Sequence, residues 1–191
     1  MKTTFLTTIT MLCFIFSINA QDKKSNAGIK LGYNLAAVSF DGDTETGQRH
    51  GFHGGFYGES FVSNAIAFQV ELLYSQQGYE LKDNSGTFTQ KLDYINLPLL
   101  LKIYPSNNFF LEAGPQIGYA ISHKEEFDSS LFNASQEFNP ESFDYGINFG
   151  TGFKTDSGVS FGVRYHLGLG DIYDEGNPQN RVWQFALGFD F

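Results

Sequence analysis

The last eleven residues, Arg181 to Phe191, read RVWQFALGFDF and constrain the chain more than any other stretch. Trp183, Phe185, Leu187, Phe189 and Phe191 are large and apolar, while Gln184, Ala186, Gly188 and Asp190 between them are small or polar. A period of two puts the two sets on opposite faces of a β-strand. Four of the eleven side chains are aromatic and share one face. Such a strand suits a sheet with lipid on one side and a narrow polar interior on the other.

A barrel closed by this strand needs seven more like it, and the chain supplies them. Ala27 onward alternates Ile29, Leu31, Tyr33 and Leu35 with Lys30, Gly32, Asn34 and Ala36. His50–Phe61 sets Phe52 and Phe56 against His53, Tyr57 and Glu59. AIAFQVELLYSQ, from Ala65, alternates most regularly, with Gln69, Glu71 and Ser75 on its minor face. The fourth strand spans Thr87–Ile103 and carries Pro98, which cannot donate a ladder hydrogen bond and is expected to mark a bulge or a break in regular pairing. Phe109–Ile121, Ser142–Lys154 and Val159–Leu169 follow with the same alternation.

Between them, DGDTETGQRH, QGYELKDNSG, Ser122–Glu141 and GDIYDEGNPQN read as long polar loops. Val62–Asn64, Tyr104–Asn107 and Thr155–Gly158 read as short turns. Strict alternation of long and short connections defines an up-and-down barrel with loops on one rim and turns on the other. The expected fold is all-β, an eight-stranded antiparallel up-and-down transmembrane β-barrel. A soluble ligand-carrying barrel is the rival, and it would turn its apolar residues inward.

Residues 1–20 are read separately, as a signal peptide preceding a barrel domain over 21–191. Lys2 supplies a positive start, Phe5–Ile18 is largely apolar with interspersed threonines, and Asn19-Ala20 before Gln21 offers a cleavage site. The single cysteine, Cys13, lies in this segment, and Thr10-Met11-Leu12 before it lacks the small residues of a lipidation signal. A mature chain without cysteine has no disulfides and no thiol chemistry. Losing Lys2 takes the formal net charge from -9 to -10, which disfavours nucleic acid as a partner.

The mature chain resembles the PorT-like outer-membrane β-barrel family of Gram-negative bacteria. The resemblance is carried by GIKLGYNLA, ELLYSQQGYE, DYINLPLLLKIYP followed by FLEAGPQIGYA, and DYGINFGTGF with FGVRYHLGLGDI before the terminal Phe. It implies a small barrel in the outer membrane, delivered by the outer-membrane insertion machinery through the strand ending at Phe191. It implies no catalytic residues.

The strand parities send Lys30, Lys102, Lys154 and Arg164 into the lumen with Glu59, Glu71, Glu112, Asp144 and Asp190. In so narrow a barrel side chains fill the interior, and buried charges must pair. The first reading is therefore an ion-paired lumen, with function in the outward loops or in an envelope protein partner. A narrow passive pore for small solutes and a rim hydrolase or acyltransferase stay open as alternatives. The latter would use His53 or His166 as base toward Ser75 or Ser122. Phe127, Leu131, Phe132 and Phe138 in the third loop form a candidate interaction patch; the other reading is that they pack on extended flanking strands. DGDTE has oxygen ligands of the kind that suit Ca²⁺ but lacks the full EF-hand pattern, so no metal, cofactor or catalytic set is assigned.

The export signal is tested directly by intact mass: protein purified from cell envelopes is expected to begin at Gln21, and a retained Met1–Ala20 would remove that reading.

Overall fold

The computed structural model describes residues 25–40, 44–83, 86–128, 133–138, 143–170 and 178–191. In chain order the strands are β1 (Asn26–Phe40), β2 (Thr44–Glu45), β3 (Gly47–Ser63), β4 (Ile66–Asp83) and β5 (Gly86–Ile103). They continue with β6 (Phe109–Asp128), β7 (Asn133–Phe138), β8 (Phe143–Lys154), β9 (Val159–Gly168) and β10 (Gln179–Asp190). The path β10-β9-β8-β6-β5-β4-β3-β1 is antiparallel throughout, and β10 pairs back onto β1, so eight strands close a ring. The seam runs from Gly28 opposite Asp190 to Ser39 opposite Gln179. The Phe191 amide extends it by donating to Ala27 O at 2.9 Å. β2 only folds back on the end of β1, and β7 only on the upper part of β6.

The period of two fixes the faces. Leu31, Phe52, Phe56, Phe68, Phe149 and Phe161 stand on the outside, each more than half exposed. Asn34, Gln69, Glu71, Asn96, Gln116 and Asn148 are at most 2% exposed on the inside. A soluble carrier would show the reverse, so this barrel is built for an apolar surrounding. Aromatic side chains also meet across strands on the outer face, as Tyr165 and Trp183 do with ring centroids 4.8 Å apart.

Both ends of the lumen are apolar. At the turn end, Phe61, Ala67, Tyr104 and Phe110 pack as one buried cluster. At the loop end, Val38, Tyr79, Leu92, Tyr94 and Ala120 form another, flanked by Phe40 and Phe88. Three short turns join the strands where expected, with the first shifted from Val62–Asn64 to Asn64-Ala65, the second reaching one residue further, to Asn108, and the third at Thr155–Gly158, where Gly158 takes φ of 84°, a left-handed value suited to glycine.

The loop end differs from expectation. QGYELKDNSG is largely strand, because β4 and β5 stay paired from Gln77 opposite Leu92 to Asp83 opposite Gly86. Ser122–Glu141 likewise carries β6 on to Asp128, with β7 returning beside it. These segments are polar because both faces of the hairpins are near water, which weakens the alternation that marks a strand. The resulting sheet of β4 to β7 rises well above the ends of β8 and β9. Pro98 marks no bulge: the pairs Val70–Leu99 and Leu73–Asn96 flank an unpaired step without a change of register. The bulge lies at Asp93/Tyr94, where Ile121 is the extra residue of β6.

The tight interior makes a small residue necessary at Gly152. A Cβ there would overlap both the Phe110 ring and the Phe161 carbonyl oxygen. Gly152→Ala is therefore expected to destabilise the barrel by roughly 1–3 kcal/mol, read as a lower urea midpoint for protein refolded into detergent or lipid.

Candidate functional site

Strand alternation delivers the charged residues to one interior, and the geometry sorts them into two groups. In the first, Arg164 of β9 spans the lumen. Its Nη1 and Nη2 lie 2.8 and 2.9 Å from the two oxygens of Glu71, and its Nε lies 2.6 Å from Glu112 Oε1. A planar guanidinium suits this task, since its fork can hold two carboxylates at once. Lys30 adds a further ion pair to Glu71.

The second group lies nearer the turn end. Glu59 accepts from Lys154 at 2.5 Å and from Tyr104 at 2.5 Å, and stands 3.2 Å from Lys102. Lys154 also reaches Asp190 at 2.9 Å, and Asp190 accepts from Tyr57. Gln69 links the groups: its Oε1 accepts from Lys102 at 2.9 Å, and its Nε2 donates to Glu71. Lys30, Lys102, Lys154 and Arg164 thus face Glu59, Glu71, Glu112 and Asp190 in one continuous, charge-balanced network. A cavity of about 20 Å³ beside Lys30, Gln69, Glu112 and Arg164 has room for little more than a water molecule.

Asp144 stands apart. It accepts from Asn180 Nδ2 at 3.1 Å and lies 3.5 Å from His166 Nε2, in a layer of amides between the ionic network and the loop-end apolar cluster. That layer also contains Asn34, Asn96, Gln116 and Asn148, all buried. The charge pattern alone points neither to this layer nor to Gln69, although their inward parity is the same as that of the charged residues.

The histidine and serine candidates form no base–nucleophile pair among the described residues. His53 Nδ1 is 2.7 Å from Asn34 Oδ1, and the Asn34 amide nitrogen donates to Ser75 at 3.0 Å, so a neutral amide separates the two. His166 Nδ1 is 3.0 Å from Asn148 Oδ1. Ser122 sits opposite Asp93 at the β6 bulge.

In the loop patch, Phe127 is half-buried and its backbone lies between Phe88 of β5 and Ala134 of β7. Directly opposed strand residues share a face, so Leu81, Phe88, Phe127 and Ala134 form an apolar row on the inner side of the tall sheet. Leu131 and Phe132 lie outside the described residues, as does the Phe138 side chain. So do Asp41 and Asp43 of the acidic DGDTE run. Among the described residues no three His, Cys, Asp or Glu side chains gather as a metal site. The outer side of the tall sheet carries ion pairs, including Lys91–Glu126 at 2.5 Å and Lys124–Glu137.

A family model described as outer membrane protein beta-barrel domain matches residues 19–174. Among solved structures, Neisserial surface protein A is similar with a TM-score of 0.55 at 14% identity, over 88% of this chain and 100% of that one. Ail, the attachment invasion locus protein of Yersinia pestis, is similar with a TM-score of 0.51 at 15% identity and the same coverage of both chains. Ail has also been solved with the heparin analogue sucrose octasulfate, and that structure matches at 17% identity with a TM-score of 0.51. At these identities the likeness is one of fold. No curated protein matches the sequence.

Removing the central cation tests the network. Arg164→Met leaves Lys30 as the one cation paired with Glu71 among the described residues and removes the ion pair of Glu112, at an expected cost of about 3–5 kcal/mol. The double variant Glu71→Gln/Arg164→Met is expected to recover a measurable part of that loss in urea titrations of the refolded barrel.

Proposed function

Because the chain belongs to the outer-membrane β-barrel domain family, we propose that it is a non-conducting anchor in the outer membrane that displays the β4–β7 sheet to a protein partner. Outer-membrane location follows from the family and the fold neighbours. In such barrels the long connections face outward and the short turns face the periplasm, which puts the tall sheet at the cell surface.

The continuous ion-pair network across the lumen carries the reading. A conducting path needs a wall that ions can enter and leave, commonly with one sign of charge. Here every cation of the network is held by a carboxylate, and apolar clusters cover both ends. The part of the molecule able to meet a partner is then the sheet above the membrane. Its mixed ion pairs and the chain's acidic balance suit a protein surface better than a sulfated polyanion of the kind seen with Ail. The PorT-like motifs support a narrower assignment, to that branch of the family and to an accessory part in envelope transport or secretion. Phe191, 82% exposed at the end of the closing strand, is the proposed handle for the insertion machinery. Residues 1–20 are proposed as its cleaved export signal.

Two measurements test this. In planar bilayers the purified protein is expected to give no unitary current steps, whereas steps that change in Arg164→Met would establish the narrow pore instead. On intact cells, a photo-crosslinker at Ser135, exposed on the sheet, is expected to capture a discrete protein adduct that the same probe at Ser157, in the periplasmic turn, does not. Identical adducts at both positions would remove the sheet as the contact surface.

A further inference from the structure

The tall sheet above the membrane has two free margins, and they differ. On one side β4 leaves β3 behind above the pair Gly47–Glu80 and ends at Asp83, with the exposed Lys82 on that margin. A short margin bearing a lysine discourages further strands. On the other side stands β7, which among the described residues pairs only with β6. β9, which flanks β8 lower down, makes its last ladder pair at Gly168 opposite Gly146, and the Leu169 and Gly170 amides close that contact on Tyr145 O. Among the described residues nothing then stands beside β7.

β7 also lacks the usual guards of a free margin. Its six residues, NASQEF, include no proline and no lysine, and its ladder runs without a bulge from Asn133 opposite Asp128 to Phe138 opposite His123. Its single charge, Glu137, is engaged by Lys124 of β6. Ala134 to Glu137 are exposed whichever face they point to. In an antiparallel strand every second residue turns its amide and carbonyl away from the existing partner. The strand thus offers a row of backbone donors and acceptors to an arriving extended chain.

Side chains decide which extended chain fits. Ala134 ends the apolar row of Leu81, Phe88 and Phe127, so a residue opposite it is favoured when apolar. On the other face Glu137 keeps 68% of its side chain exposed beside Lys124, and the formal net charge of the chain is -9, so a residue opposite Glu137 is favoured when basic. In the antiparallel sense this is a basic residue followed three positions later by an apolar one. β6 has that spacing on the other side of β7, at Lys124 and Phe127. A second copy in the same membrane fits badly. A two-fold axis along the membrane normal would lay both β7 strands in the same up-down sense, crossing at about twice their tilt instead of pairing antiparallel.

We propose that the free edge of β7 is the docking site of the surface sheet and takes an extended basic segment of a partner protein as an added antiparallel strand. This rests on the display of the sheet to a protein partner and names the edge and the segment it takes. The test uses the refolded chain from Gln21 onward, which has no cysteine of its own, carrying Ser135→Cys. The probe is the synthetic peptide SHKTTFD, residues 122–128 with Glu125→Thr and Glu126→Thr, along which a cysteine is moved one position at a time. Disulfide yield is expected to peak with the cysteine at position 126, opposite Ser135 in the register of β6, and to drop at its two neighbours, which turn to the other face. N-methylating alternate peptide amides, in two phases, is expected to cut the yield at least about tenfold in the phase that faces β7 and to leave it unchanged in the other. A flat profile along the peptide, or equal losses in both phases, would overturn the edge. So would Ser135→Cys chains that join one another in preference to the peptide, since the occupant would then be a second copy. The crosslink on cells stands apart from this: a Ser135 adduct without ordered strand addition refutes the edge and spares the displayed sheet, whereas ordered addition without an adduct refutes the partner and the proposal with it.

Discussion

A guanidinium placed in the middle of an eight-stranded barrel has no bulk water to turn to, so it must be answered by carboxylates from the facing wall. Arg164 is answered by Glu71 and Glu112, from β4 and β6, and those contacts tie together strands that are not neighbours in the ring. Strand number and ladder register fix the radius of the cylinder. The ion pairs brace it across the lumen against flattening. Their strength in a low-dielectric interior, and the large penalty for leaving one charge alone there, are two sides of the same electrostatics.

The walls are shaped to admit these side chains. β1, β9 and β10 keep inward positions small at Gly28, Gly32, Gly162, Ala186 and Gly188, while β5 turns Leu92, Tyr94, Asn96, Leu100 and Lys102 inward. Bulk on one side is thus met by space on the other, as close packing requires. The lumen is layered as a result, with apolar clusters at the ends, ions toward the turns and amides toward the loops. The outer face follows a separate rule, apolar nearly everywhere, because lipid offers polar groups nothing.

How much of this was legible in the residues depends on what each region is wetted by. Where one face meets lipid and the other a polar lumen, a period of two is unmistakable, and Lys30, Glu71, Lys102, Glu112 and Arg164 could be assigned to the inside by counting alone. Above the membrane that contrast fades, so QGYELKDNSG reads as a loop although most of it is paired strand. A bulge defeats counting altogether. Inward residues of lower β6 are even-numbered, but past Ile121 the parity reverses and Phe127 turns inward. Partner choice was also beyond the pattern: nothing in the order of residues says that Gln69 joins two ionic groups, or that Asp144 is left out of both.

The seam between β1 and β10 has a consequence for how the molecule comes into being. Its twelve paired positions join the first strand to the last, so neither strand has its full set of neighbours until the whole chain has been delivered. A chain halted early would be left with two raw margins of unpaired amides and carbonyls, intolerable in lipid and inviting to other chains. Ring closure, which includes the Phe191 amide on Ala27 O, rests on contacts between strands far apart in sequence, the kind of pairing that forms slowly.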